Sequence, residues 1–175
     1  MKIILGVTGS ISAYKAYDVL RGLVKKQHVV KVVLSKGAER FIKSDTFLYL
    51  GADSVYTGQD DFNSTANNGS VLHIDLKNWM DLLVIAPTSA NTIAKFYAGF
   101  CDDLLSSLFL SNRIKKCIIF PAMNTEMLLN PTTIRNLEYL AHLKHVFIHP
   151  PESGELAGGD GGSERPPSME LFVKI

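Results

Sequence analysis

Four stretches of this chain carry side chains that do chemistry, and each follows an aliphatic run directly: GVTGSISAYK (6–15), VLSKGAERF (33–41), IAPTSANTIAK (85–95) and IIFPAMNTEM (118–127). In the first, Gly9 and Ser10 form a tight turn into a helix starting near Ser12. Free backbone N–H groups and the helix dipole at such a turn favour a phosphate, and a plain turn with serine as N-cap fits equally well. The G-x-G-x-x-G dinucleotide fingerprint is absent. Ser35 in the second stretch either bonds a ligand or caps the next helix. In the third, Pro87, Thr88, Ser89, Asn91 and Thr92 crowd one turn. A single cap needs one such residue, so five of them read as a cradle for an anionic group, with phosphate preferred. Asn124 in the fourth could fix a carboxylate or amide, or cap a helix. A fifth candidate is His73 in VLHIDL. The apolar alternation there reads as a strand, which puts Asp75 on the same face. That pairing allows acid–base work, although a histidine in such a setting also serves as a satisfied core residue.

The elements that position these groups are legible from periodicity. KIILGV (2–7), VVKVVL (29–34), DLLVIA (81–86), KCIIF (116–120) and HVFI (145–148) are nearly continuous in aliphatic residues, as strands covered on both faces are. Helical spacing occupies 13–26, 90–98, 102–111 and 131–143, the last opened by Pro131. The alternation predicts an α/β fold: an open, mostly parallel sheet with helices on both faces, a Rossmann/flavodoxin-like three-layer sandwich. Ligands of such sheets sit beyond the carboxyl ends of the strands, where the chemistry-bearing stretches fall. The polar stretch TGQDDFNSTANNGS (57–70) reads as an exposed, mobile loop.

Composition sets the bounds. The 175 residues are 46% hydrophobic and 20% charged, which suits one globular domain over 1–175. A net charge of +1 offers no basic field for nucleic acid. No run reaches the roughly 18 apolar residues of a membrane span, and the N-terminus lacks a signal-peptide pattern. Two cysteines, Cys101 and Cys117, are too few for a disulfide framework or a structural zinc site, and they fit a reducing cytoplasm. No metal site is expected.

Taken together, GSISAYK, LHIDLKNWMDLLVIAPTSANTIAKFYAGFCDDLL (72–105) and PAMNTEM resemble the homo-oligomeric flavin-containing cysteine decarboxylases, in particular the phosphopantothenoylcysteine decarboxylase type of coenzyme A biosynthesis. The resemblance runs to about residue 165. It implies bound FMN, contacted by Gly9, Ser10 and Ile11, by Ser35 and Lys36, by Pro87, Ser89, Ala90, Asn91 and Thr92, and by Ala122. It makes His73 the catalytic histidine. Asn124 then holds the substrate carboxylate, beside Ala122 and Met123. The implied reaction oxidises the substrate's cysteine thiol, releases carbon dioxide and reduces the enethiolate to 4′-phosphopantetheine. A homotrimer with flavin near the subunit interface is implied too, and a dodecamer of trimers is left open. The second, ligase domain that many bacterial members fuse behind the decarboxylase has no counterpart here, which would make that ligase a separate protein.

The C-terminal stretch SGELAGGDGGSERPPS (153–168) departs from the family. The resemblance makes residues from about 152 to 168 a flap over the active site, usually reading LACGD. Leu156, Ala157, Gly159 and Asp160 match, and Gly158 stands where the proton-donor cysteine belongs. Leu128 also replaces a frequent tryptophan, and SERPPS replaces the usual ending. Oxidation and decarboxylation are expected to proceed, with the final reduction impaired and the product held at the enethiol. Peptidyl-cysteine decarboxylases end at that point, so a peptide substrate is the main alternative. A non-catalytic flavin-binding regulator is a third reading, against which His73 and Asn124 both stand. A flavin prenyltransferase is disfavoured by the PAMN segment.

Overall fold

The structure, a computed structural model, describes residues 1–58, 60–62, 69–150, 152–155 and 161–165. In chain order the main elements are β1 (Lys2–Val7), α1 (Ala16–Lys25), β2 (Val29–Leu34), α2 (Ser44–Tyr49), β3 (Ser54–Tyr56), α3 (Leu72–Trp79), β4 (Leu82–Thr88), α4 (Ala90–Ala98), α5 (Leu104–Ser111), β5 (Lys116–Pro121), α6 (Thr125–Leu129), α7 (Pro131–Ala141) and β6 (Val146–Ile148). These are followed by β7 (Glu152–Glu155) and β8 (Gly161–Arg165). A 3-10 turn over Ile11–Lys15 leads into α1.

Six strands form one sheet in the order β3-β2-β1-β4-β5-β6, and every pairing is parallel. Both faces are covered, which explains why the strands read as unbroken aliphatic runs. Ile3, Leu5, Val7, Val32, Leu34, Val84 and Phe120 turn one way and pack on Val19, Leu20 and Leu23 of α1 and Phe47 of α2. Ile4, Val33, Leu83, Ile85, Cys117 and Ile119 turn the other way, against α3, α4, α5 and Leu140 of α7. Each such fully buried side chain is worth roughly 1.5–3 kcal/mol, so these two layers dominate the stability.

Local chemistry sets the helix ends. α5 begins with a capping box in which Asp103 and Ser106 satisfy each other's backbone. α4 ends at Gly99 in the left-handed region (φ 73), and Lys95 near that end pairs with Asp102 and Asp103 ahead of α5. α7 opens with Asn130 as cap and Pro131 inside the first turn.

Two sequence expectations change. The stretch around His73 is helix α3, not a strand, because Leu72, Leu76 and Met80 recur at helical spacing and all three are buried. The loop at 57–70 is in part a built turn: Asp60–Phe62 form a 3-10 segment, and Asp61 is buried. At the C-terminus, β7 and β8 pair antiparallel, with β8 beside α6. Gly158, Gly159 and Asp160 of the expected flap lie outside the described residues.

Candidate active site

The strand order reverses between β1 and β4, so the crevice beyond their carboxyl ends is where an open α/β sheet binds ligands. Four strand exits are stitched together there by backbone and by one buried hydroxyl. The Thr8 hydroxyl donates to the Pro87 carbonyl (2.8 Å) and accepts from the Ser89 N–H (2.7 Å), tying the β1 exit to the β4 exit. Ser35 N–H donates to Val7 O (3.0 Å), joining β2 to β1. Ala122 N–H donates to Thr88 O (3.0 Å), joining β5 to β4. Gly9 meets Gly37 of the β2 exit so closely that a Cβ on Gly9 would lie 2.9 Å from the Gly37 Cα. The residues read as cofactor contacts, from Gly9 through Ser35 and Ser89 to Ala122, therefore lie on loops that share one edge of the sheet.

The five-residue cluster after β4 divides its labour. Thr88 is fully buried and its hydroxyl donates to Ile85 O (2.7 Å), which removes it from any cradle. Pro87 is buried inside the strand, one residue before its end. Ser89 is the N-cap of α4, its Oγ accepting from the Thr92 N–H (3.4 Å) and lying 3.2 Å from the Thr92 hydroxyl. With the Ser89 and Thr92 amides so occupied, those of Ala90 and Asn91 have no acceptor among the described residues, as the first turn of a helix requires. Two open donors and the positive end of a nine-residue helix thus face the crevice edge.

Elsewhere the cap readings hold. Ser10 caps the 3-10 turn, accepting from Ser12 N–H (3.4 Å), and Ile11 beside it is exposed. Ser35 accepts from Ala38 N–H (3.3 Å) and is buried, next to the exposed Lys36. Asn124 is the N-cap of α6: its Oδ1 accepts from the amides of Glu126 (2.9 Å) and Met127 (3.4 Å). No described residue accepts from its Nδ2, and Asn124 is exposed while Ala122 and Met123 behind it are buried.

His73 is the second residue of α3, which runs back to the start of β4, so its N-terminus points toward the carboxyl edge of the sheet. Asp75 does not face it. On a helix a two-residue step turns well past the side of the axis, and Asp75 instead takes the Ser70 hydroxyl. The partner of His73 is Asp61, which the sequence did not single out. Its Oδ1 and Oδ2 lie 2.9 and 2.8 Å from His73 Nδ1, and Oδ1 also accepts the His73 backbone N–H at 2.9 Å. The Asp61 side chain is 1% exposed and that of His73 24%. No local pattern announces this pair, because it joins a polar loop to a helix start.

The two thiols of the chain sit in different settings. Cys117 is buried in β5, where desolvation pushes its thiol up, far from easy ionisation. Cys101 is exposed in the turn after α4. A cavity of about 410 Å³ opens between α4 and α7, lined by Tyr97, Phe100 and Arg135 among others, and shares only Asn91 with the residues read as cofactor contacts. The strand-exit crevice is the better candidate, since topology and open donors both point to it. Among the described residues no three His, Cys, Asp or Glu side chains converge as metal ligands, and no helix is long and apolar enough to cross a membrane.

The Flavoprotein family model matches residues 1–174. The coenzyme A biosynthesis bifunctional protein CoaBC of Mycolicibacterium smegmatis is 38% identical over 174 residues, 99% of this chain and 40% of that protein. The chain thus spans about two-fifths of such bifunctional relatives. A putative phosphopantothenoylcysteine decarboxylase of Dictyostelium discoideum is 35% identical, with 99% of this chain and 88% of that protein covered. Among solved structures, a PPC decarboxylase mutant complexed with pantothenoylaminoethenethiol superposes with a TM-score of 0.89 at 32% identity, over 99% of this chain and 94% of that one. The FMN binding protein AtHal3 gives 0.84 at 32%, over 99% and 92%. With a family match along nearly its whole length and the same three-layer fold as these relatives, the chain belongs to the Flavoprotein family.

Proposed function

We propose that this chain is an FMN-dependent decarboxylase that acts on 4′-phosphopantothenoylcysteine. The observation that carries the reading is the joining of four strand exits around a crevice edged by two open amides of α4. That edge fits a phosphate monoester: two N–H donors, a helix dipole and the Ser89–Thr92 hydroxyl pair. Ala90 and Asn91 would hold the phosphate of FMN, while Gly9–Ile11, Ser35–Lys36 and Ala122 would line the rest. The relatives named for phosphopantothenoylcysteine decarboxylase and for FMN binding support the same assignment.

When bound, the flavin supplies the two-electron oxidation that no side chain can perform. The chain's own residues do the rest. Asn124 offers its free Nδ2 hydrogens to the substrate carboxylate, its Oδ1 being committed to the cap of α6. The substrate's CH₂–SH group loses two hydrogens to become CH=S, and His73 is the base that takes the S–H proton. The carboxylate beta to that thiocarbonyl then leaves as carbon dioxide, because sulfur accepts the electron pair, and an enethiolate remains. Gly158 offers no side-chain proton, so the reaction stops at the enethiol, and the two electrons taken from the substrate would then pass to an external oxidant such as dioxygen before a second turnover. The ligand in the PPC decarboxylase mutant complex, pantothenoylaminoethenethiol, is an enethiol of this kind. By the same resemblance the working unit is a homotrimer, and the two cysteines fit a reducing cytoplasm.

Mass analysis of the product tests this. Flavin-loaded protein should convert phosphopantothenoylcysteine to a species lacking carbon dioxide and two hydrogens. Unchanged substrate overturns the reading, and saturated 4′-phosphopantetheine removes the stall while keeping the decarboxylase.

A further inference from the structure

The Asp61 carboxylate is nearly inaccessible, yet every hydrogen bond it makes among the described residues goes to one partner, His73. A merely structural buried aspartate would be expected to satisfy backbone groups of its own loop. Among the described residues the turn is held by others. Thr57 donates its N–H and its hydroxyl to Asp60, and Leu104 N–H donates to Gly58 O (3.3 Å), anchoring the turn at the start of α5. Gly58 also passes within contact of the Lys36 amide, 3.6 Å from where its Cβ would lie, so the turn abuts the β2 exit. The turn that carries Asp61 is thereby anchored to α5 and to the β2 exit.

We infer that Asp61 is a positioning residue for His73: its carboxylate holds the proton on Nδ1 and leaves Nε2 as the open base. A carboxylate only accepts hydrogen bonds, so the ring nitrogen facing it must carry the hydrogen, and in a neutral imidazole the other nitrogen is then the acceptor. The third contact, from His73 N–H, fixes the backbone of the same residue, so ring and main chain are held by one group. α3 has no side-chain cap at Val71, and Asp61 fills that role from another part of the chain, with its negative charge at the helix N-terminus. The kinetic consequence rests on the decarboxylase reading above, whereas the tautomer does not.

Asp61→Asn keeps the shape and the bond to the His73 amide but presents an NH₂ group to Nδ1, which favours the opposite tautomer. In flavin-loaded protein turnover should fall roughly 10²-fold through kcat, the lower range for a lost general base, with KM and flavin affinity little changed. Asp61→Glu should recover part of the loss. The accompanying readout is ¹⁵N NMR of histidine-labelled protein, the His73 signal identified with His73→Asn. Nδ1 should resonate as a protonated nitrogen and Nε2 as an unprotonated one in the native chain, and the two should exchange character in Asp61→Asn. An active native enzyme with Asp61→Asn equally active, or a native His73 protonated on Nε2 alone, overturns the inference. If the native protein has no decarboxylase activity, the functional reading fails and the native ¹⁵N pattern still decides the tautomer. It decides equally if Asp61→Asn does not fold.

Discussion

Gly9 and Gly37 stand back to back across the exits of β1 and β2, with 2.9 Å between the Gly37 Cα and the point where a Gly9 Cβ would sit. The two loops that would line a flavin are thus spaced by the absence of two side chains. Gly9→Ala must push one backbone away from the other, at about 1–3 kcal/mol for overpacking of this kind. Thermal denaturation should show the loss, and FMN affinity should fall with it. Unchanged melting and affinity would mean that the loops part freely and their spacing is not set here.

Thr8→Val tests the stitch between β1 and β4. The side chain is fully buried, and valine keeps its shape while removing the hydroxyl that serves both Pro87 O and Ser89 N–H. Leaving such buried groups unsatisfied costs about 1–3 kcal/mol. The start of α4 should loosen, so FMN should bind more weakly than the change in melting temperature alone suggests. Amide exchange at Ser89 provides the local measurement.

Gly158→Cys supplies the thiol that the sequence resemblance leads one to expect at this position. The product should shift from the enethiol to saturated 4′-phosphopantetheine, read by mass, with little change in carbon dioxide release. An enethiol product from the Gly158→Cys variant would show that the arrest has another cause.

His145 provides a pH signature of the fold. Burial is the main influence and lowers its pKa below the ordinary 6.5, with a smaller opposing contribution from the Asn112 backbone. Below 6.5 the unfolded chain binds a proton that the folded chain refuses, so stability is fully present above that pH and declines as pH falls through the window beneath it. The melting temperature should drop between about pH 7 and pH 5, and His145→Gln should flatten that slope. Parallel slopes would contradict it.

Much of this was legible in the residues. Strands buried on both faces leave nearly unbroken aliphatic runs, so β1, β2, β4 and β5 read directly. β3 and α6 did not, since Ser54–Tyr56 is a half-buried edge and α6 buries no side chain. VLHIDL misled because its short alternation imitates a strand, while the deciding Leu72–Leu76–Met80 repeat needs a longer window. Thr88 looked like a ligand group in sequence and proved to be a buried backbone partner. Asp61 left no trace at all, since its role comes from a contact across 12 residues that only folding creates.

Titration of the purified protein with FMN, followed by flavin fluorescence, tests the central claim most directly. A strand-exit crevice with open amides at Ala90 and Asn91 predicts saturable binding of one flavin per chain, weakened by Ser89→Asp, which sets a negative charge beside the phosphate position. A colourless protein that takes up no FMN at saturating supply would contradict the account.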